Sequence, residues 1–303
     1  MRKGIKQNTA INNFALLTKT NGVVLMEEKR QKKVINENIL TTKSNLKGIA
    51  GFLEFLLRRF RNGAFLAALT PLYLVGILAM GISATPGLYV FFWIKEATVH
   101  WLPIWHYLAL GVTAVAAYFM YGFSLIFVIP FFNFILPFRI KPFRGNYFSL
   151  GVVPWYIHNA LTYIVRYTFL EFITPTPLNT LFYRMMGMKM GKGVHINTTN
   201  ISDPGLIEIG DYVTIGGSAH LIAHYGQKGY LVLSKVKIGN GVTIGMKATI
   251  MGGVEIGDGA MIGPHEVVLP KTKVEPHRRP PQTKGIVTSS QVSASQTAIT
   301  ETA

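Results

Sequence analysis

Between Ile238 and Val274 an aliphatic residue returns at every sixth position: Ile238, Ile244, Ile250, Ile256, Ile262, Val268 and Val274. Gly follows four of them directly, as Gly239, Gly245, Gly257 and Gly263. A period of six matches neither the turn of a helix nor the alternation of a two-faced strand. It suits a solenoid in which each hexapeptide makes one short strand and one turn, and three hexapeptides close a triangular coil. The aliphatic side chain then points inward. The residue four places on must be small, because it shares the narrow interior. Val242, Ala248, Val254, Ala260 and Thr272 obey this rule, and Glu266 is the one violation. Repetition at a fixed period outranks local propensity in deciding a fold.

Upstream the coils are less regular. Met190 and Ile196 keep the period, the region Ser202-Asp203-Pro204 carries an extra residue, and Ile209, Ile215 and Leu221 resume it. After Leu221 the run breaks. With Val232 as the next inward residue and Val236 at its fourth place, the step is eleven residues, which makes His224 to Tyr230 a loop bulging from the coil. Solenoids carry insertions on one face, often the binding face.

The first half of the chain is of a different kind. The whole sequence is 49% hydrophobic and only 15% charged, with a net charge of +16. Such basic excess points to nucleic acid, anionic lipid or an anionic cofactor. The absence of a nucleic-acid-binding motif and the crowding of basic residues around apolar segments favour the last two. With no Cys in 303 residues, a disulfide framework, a thiolate metal site and a Cys nucleophile are excluded.

Residues 1–48 read as a polar, basic, disordered tail rather than a secretory signal, the apolar patch at 22–26 being too short. From Gly63 to Ile94, and again from Trp101 to Phe138, there is no Lys, Arg, Asp or Glu. Roughly 20 apolar residues cross the hydrocarbon core as a helix. The region 49–146 is therefore expected to hold two spans, at about 64–83 and 104–128, ended by Pro86-Gly87 and Pro130. Lys43, Lys47, Arg58, Arg59 and Arg61 precede the first span and Arg139, Lys141 and Arg144 follow the second, whereas the connection offers Lys95 beside Glu96. By the positive-inside rule both ends lie in the cytoplasm.

A further apolar stretch, Tyr147 to Ile173, would reverse this topology if it crossed. His158, Asn159, Thr162 and Arg166 recur there at helical spacing, however, so the region 147–186 is read as an amphipathic helix lying in the interface, followed by a linker. The solenoid occupies 187–276. Pro276 and Pro280-Pro281 then stop it, and residues 277–303, rich in Ser, Thr, Gln and Ala, read as a disordered tail.

The repeat resembles the left-handed parallel β-helix of the hexapeptide-repeat acyltransferases. The entry to it, with Thr176-Pro177-Leu178-Asn179, Tyr183-Arg184, Gly187 and Met190-Gly191, is similar to the membrane-linked terminal region of polylysine-synthetase-type nonribosomal peptide synthetases. No adenylation domain or carrier-protein serine motif is present, so peptide synthesis is not implied. The resemblance implies a mainly β fold behind a helical membrane anchor. It also implies an acyl-coenzyme A co-substrate, acetyl-coenzyme A above all, and a homotrimer with the cofactor in the groove between subunits.

Acyl transfer to a hydroxyl or amine needs a base of near-neutral pKa and donors for the oxyanion. In the resembling family a His at a loop-bearing coil is the usual base, and His224 is the matching position. His220 is the second candidate, and His265 is read as lining the groove. His100, His106 and His277 lie away from the solenoid's faces, His195 falls on a different face from His220, and His158 reads as a solvated member of the polar stripe. Removing the loop places His224, Lys247 and His265 in one column, with neighbouring coils about 4.8 Å apart.

Asp203, Glu208 and Asp211 are the carboxylates near enough in sequence to orient His224, without a choice among them. For the cofactor the resemblance implies Gly245, Ala248, Gly263 and Pro264 along the pantetheine arm, with Lys247, Lys271, Lys273 and Arg278 toward the phosphates. The acceptor is expected to be a lipid-linked, glycan or peptide group. Two rivals remain: a zinc hydratase like the γ-class carbonic anhydrases, against which His220 and His224 are one residue too close, and a membrane-tethered scaffold without activity. No metal is expected.

Overall fold

The computed structural model describes residues 40–44 and 46–280, together with residue 30. The expected tails at 1–48 and 277–303, and the apolar patch at 22–26, lie largely or wholly outside the described residues.

Two long helices open the described fold. Helix α1, Gly48–Ala97, bends at Arg61, whose backbone leaves helical geometry, and α2 covers Pro103–Ile135. Within them Leu69–Ala97 and Pro103–Ile135 are long and apolar enough to cross a membrane. Large apolar side chains such as Tyr89, Trp105 and Phe134 face outward along both. Neither Pro86 nor Pro130 ends its helix as the sequence suggested. In an apolar setting a broken backbone strands several polar groups, whereas a proline inside a continuous helix forfeits one hydrogen bond. The two helices meet backbone to backbone at Gly87, where a Cβ would stand 2.6 Å from the Ala117 carbonyl oxygen.

The solenoid is a left-handed parallel β-helix with three faces. The first carries Lys189–Met190, Ile207–Ile209, Val236–Ile238, Glu255–Ile256 and Lys273–Val274. The second carries His195–Ile196, Thr214–Ile215, Thr243–Ile244 and Met261–Ile262, and the third Ile201–Ser202, His220–Ile222, Thr249–Ile250 and Val267–Val268. All pairings within these faces are parallel, so Ile209, Ile238, Ile256 and Val274 stack in one file. The repeat's Ile residues from 238 to 262 are at most 4% exposed, as are Val242, Ala248, Val254 and Ala260. Burying each Ile contributes about 1.5–3 kcal/mol. Glu266 escapes the interior: it accepts a hydrogen bond from the Gly263 amide and pairs with Arg278. Burial alone would raise its pKa, but those two donors hold the carboxyl below its usual value.

The break after Leu221 is larger than expected. Val232 does not re-enter the coil; it pairs with Arg144 and Tyr225. The next inward residue of the file is Ile238, paired with Ile209, so the step spans seventeen residues in place of six. The insertion is a β-hairpin, His224–Gln227 with Tyr230–Leu233, and the strand Phe143–Asn146 just beyond α2 adds to its edge in antiparallel register. Pairing to a strand far upstream, Phe143 opposite Leu233 and Asn146 opposite Tyr230, satisfies backbone groups that a free loop would leave to water.

Helix α3, Val153–Thr168, lies between the two long apolar helices and the solenoid. Its polar stripe is turned inward, not into solvent: His158 is 2% exposed, and Asn159 and Thr162 are also buried. Arg166 hydrogen-bonds to Asn200 in the first coil. The stripe is polar because it docks on polar groups of that coil. Helix α4, Pro177–Met185, caps the solenoid's entry, with the buried Asn179 donating to the Ile196 carbonyl at 2.9 Å.

Candidate active site

His224 begins the hairpin where the chain leaves the third face. Its Nδ1 lies 2.6 Å from Oδ2 of Asp203, and its side chain is 24% exposed against 0% for Asp203. Asp203 sits at the extra residue of the first coil, in the left-handed region with φ 61°, a conformation Asp adopts more readily than most residues. Its carboxylate gathers four donors. Oδ1 accepts from Trp155 Nε1 and Asn159 Nδ2, both at 2.7 Å, and Oδ2 accepts from the Ala223 amide at 3.1 Å as well as from His224. The Trp155 ring packs edge-on to the imidazole at 5.0 Å.

This arrangement fixes the imidazole by chemistry. A fully buried carboxylate supplied by two side-chain N–H groups and a backbone amide remains an acceptor, so the proton of the His224 bond belongs to Nδ1. The lone pair of Nε2 then points away from Asp203, free to take a proton. The orienting carboxylate is thus Asp203, which sequence reasoning left among three. Glu208 instead pairs with Lys235 and Lys189 on the first face, and those ammonium groups lower its pKa, the Lys235 hydrogen bond most. In the sequence Asn159 reads only as part of the polar stripe, and neither it nor Trp155 is assigned to the site, because nothing in their local sequence signals a partner more than forty residues downstream.

Behind this network His158 bridges the apolar helical hairpin and the solenoid. Its Nδ1 lies 3.0 Å from Asn133 Oδ1 near the end of α2, and Nε2 accepts from the Gly205 amide at 3.4 Å. Burial lowers its pKa to about 4, against a smaller opposing pull from Asp203. It is a buried structural group, not the solvated residue expected.

The expected column is divided between two corners. Lys247 and His265 stack with Ser218 at the corner between the second and third faces, linked by amide-to-carbonyl bonds from Lys247 to Gly217 and from His265 to Met246. His224 belongs to the corner after the third face, where Lys271 donates its amide to Gly252. The error follows from the underestimated insertion. Gly245 and Gly263 with Pro264 stand at the Lys247 corner, and a Cβ on Gly245 would lie 2.5 Å from the Pro264 nitrogen. That close approach of coils is itself a reason for glycine there. Ala248 has its side chain wholly inside the solenoid, so toward a cofactor it could offer backbone only. His195 and His220 project from the second and third faces, respectively.

A groove of about 460 Å³ lies alongside the site, lined by Arg139, Lys141, Phe143, Trp155 and Leu233 among others. Leu233 is the residue paired with His224 across the hairpin.

Residues 235–265 match the family model described as bacterial transferase hexapeptide (six repeats). Among curated proteins, "Delta-poly-L-ornithine synthetase" of Acinetobacter baumannii is 22% identical over 154 residues, 50% of this chain but 11% of that protein. "Putative acetyltransferase YvoF" of Bacillus subtilis is 29% identical over 122 residues, 36% of this chain and 69% of that protein. The chain therefore spans only a small part of the first relative's length. Among solved structures, a maltose O-acetyltransferase from Clostridium difficile aligns with TM-score 0.32 and 21% identity, covering 45% of this chain and 85% of that one. A hexapeptide-repeat acetyltransferase from Vibrio cholerae, complexed with acetyl coenzyme A, aligns with TM-score 0.31 and 19% identity, covering 39% and 79%.

Proposed function

We propose that this hexapeptide-repeat chain is a membrane-anchored acyltransferase that moves an acyl group, acetyl in the first instance, from coenzyme A to a hydroxyl or amine acceptor. The observation that carries this reading is the Asp203–His224 pair, beside a groove whose lining includes two neighbours of the imidazole, Trp155 and Leu233. His224 Nε2 takes the acceptor's proton as the acceptor oxygen or nitrogen attacks the thioester carbonyl. The carbon–sulfur bond then breaks, and the proton on Nε2 passes to the departing thiolate, giving free coenzyme A and the acyl ester or amide. Asp203 holds the imidazole in the required tautomer and faces the positive charge that develops on it.

The cofactor segment is assigned to the Lys247 corner, with Gly245, Gly263 and Pro264 along the pantetheine and Lys247 toward the phosphates. Lys271 stands at the His224 corner. In a homotrimer the His224 corner of one subunit faces the Lys247 corner of the next, so that both halves serve one thioester. The names of the two curated relatives, "Delta-poly-L-ornithine synthetase" and "Putative acetyltransferase YvoF", agree with acyl chemistry on amines or hydroxyls. Leu69–Ala97 and Pro103–Ile135 supply the anchor, and the basic flanks support a solenoid on the cytoplasmic side, where acyl-coenzyme A is available.

The test is thiol release from acetyl-coenzyme A by membranes carrying the wild type or His224→Ala. Release should fall by about 10²–10⁴ in the variant. Equal release from both, above an empty-membrane blank, removes His224 from the mechanism.

A further inference from the structure

A second cavity lies on the membrane side of α3. It measures about 220 Å³ and is lined by Leu57, Leu69, Leu72 and Val75 of α1, by Phe138, and by Tyr156 and Ile157 of α3 among others. Besides the Tyr147 and Tyr156 rings, one aliphatic hydroxyl lies in these walls. Ser149 is 6% exposed, and its buried hydroxyl has no hydrogen-bond partner among the described residues. An orphaned buried hydroxyl is destabilising unless something completes it. Phe138 lines both this cavity and the 460 Å³ groove, so one ring separates the two.

On the far side of Phe138 the lining changes to Arg139, Lys141 and Trp155. Lys141 is exposed and makes no ion pair among the described residues. Two Arg139 nitrogens are bound to the carbonyls of Asn133 and Phe134, which anchors that charge where α2 ends. The order is therefore largely apolar cavity, buried serine hydroxyl, an aromatic ring common to both spaces, cationic groove, and then the ring packed on His224.

We propose that the cavity seats a hydrocarbon chain of a lipid-anchored acceptor with an anionic headgroup, with Ser149 donating to its linkage oxygen and Lys141 and Arg139 facing its phosphate. The headgroup's hydroxyl or amine then reaches Nε2 of His224. This rests on the reading of His224 as the transfer base and narrows the acceptor to membrane lipids. A soluble sugar or peptide acceptor has no use for an apolar cavity between α1 and α3, whereas a lipid fits both the walls and the charge.

The test uses the full chain in phosphatidylcholine nanodiscs with a phosphatidylglycerol probe bearing a photoreactive group on its acyl chain, the crosslinks being mapped by mass spectrometry. Labelling should concentrate on residues 69–75 and 147–157 and be competed by unlabelled phosphatidylglycerol. Lys141→Gln should weaken that competition about fivefold, one surface cation being worth about 1 kcal/mol. Leu72→Trp, which fills the cavity, should abolish the cavity label, and Ser149→Ala should reduce it in a protein whose thermal unfolding midpoint is not lowered. Equal labelling by a phosphatidylcholine probe, or label spread over the outer faces of α1 and α2, overturns the proposal. Because crosslinking needs no turnover, it can fail while His224-dependent thiol release persists, or succeed while thiol release proves independent of His224.

Discussion

Replacing Asp203 by Asn isolates its proposed role. Asn tolerates the left-handed backbone that Asp203 adopts, at φ 61°, so the coil is kept. One oxygen can still accept from Trp155 and Asn159, but an amide nitrogen then faces the Ala223 N–H and His224 Nδ1. The Ala223 amide, left without an acceptor in a buried site, costs about 1–3 kcal/mol of stability. The imidazole is affected more deeply. It can bond an amide N–H only through an unprotonated Nδ1, which moves the proton to Nε2 and removes the lone pair that serves as base. Thiol release from acetyl-coenzyme A by the purified full chain should therefore fall by about 10²–10⁴, while thermal unfolding shows a folded protein with a modestly lowered midpoint. Asp203→Asn activity within a few-fold of wild type, in a protein that unfolds as expected, would falsify the assignment of Asp203 as the group that sets His224.

Three further outcomes follow from the packing. His158 has a folded pKa lowered from 6.5 to about 4, so the unfolded chain binds the extra proton between those values. Its contribution to stability is full above about pH 6.5 and is lost as pH falls toward 4; unfolding of His158→Gln in detergent should vary less with pH across that window, and an unchanged slope would count against the buried neutral imidazole. Ile250→Ala removes a side chain with 0% exposure from the solenoid interior and should cost about 2–5 kcal/mol in denaturant unfolding; a cost under about 0.5 kcal/mol would mean the coil is not packed as described. Gly252→Ala places a Cβ 2.9 Å from the Ala223 carbonyl oxygen and 3.1 Å from the Tyr225 ring, at the root of the His224 hairpin; it should lower thiol release by about 10²-fold for a stability loss of about 1–3 kcal/mol. Undiminished release would show that the hairpin root tolerates movement.

The regular coils were legible because each inward residue answers to a local rule: an aliphatic side chain at one place and a small one four places on, as at Ile244 and Ala248. The same rule flagged Glu266, and the explanation lay outside the hexapeptide, in Arg278. The two long apolar helices were legible from their lack of charge, although not their continuity through Pro86 and Pro130. What stayed hidden is non-local. The hairpin from His224 to Leu233 is held by Phe143–Asn146, and no periodicity in either segment announces the pairing. The polar stripe of α3 carries the same residue pattern whether it faces water or a polar coil. Only the burial of His158, Asn159 and Thr162 distinguishes the two cases. Mistaking the length of one insertion then moved His224 to the wrong corner.

The dependence of Asp203 on α3 bears on how the solenoid could be studied apart from the membrane. A fragment beginning at Gly187 would retain every hexapeptide, yet it would strip the carboxylate of Trp155 and Asn159 and take the Phe143–Asn146 strand from the hairpin. The bared hairpin edge would invite pairing between molecules, and the imidazole would answer to a different set of neighbours. A soluble surrogate could thus give well-formed crystals and a misleading rate. A fragment meant to keep this network has to start before Phe143, where the second apolar helix ends.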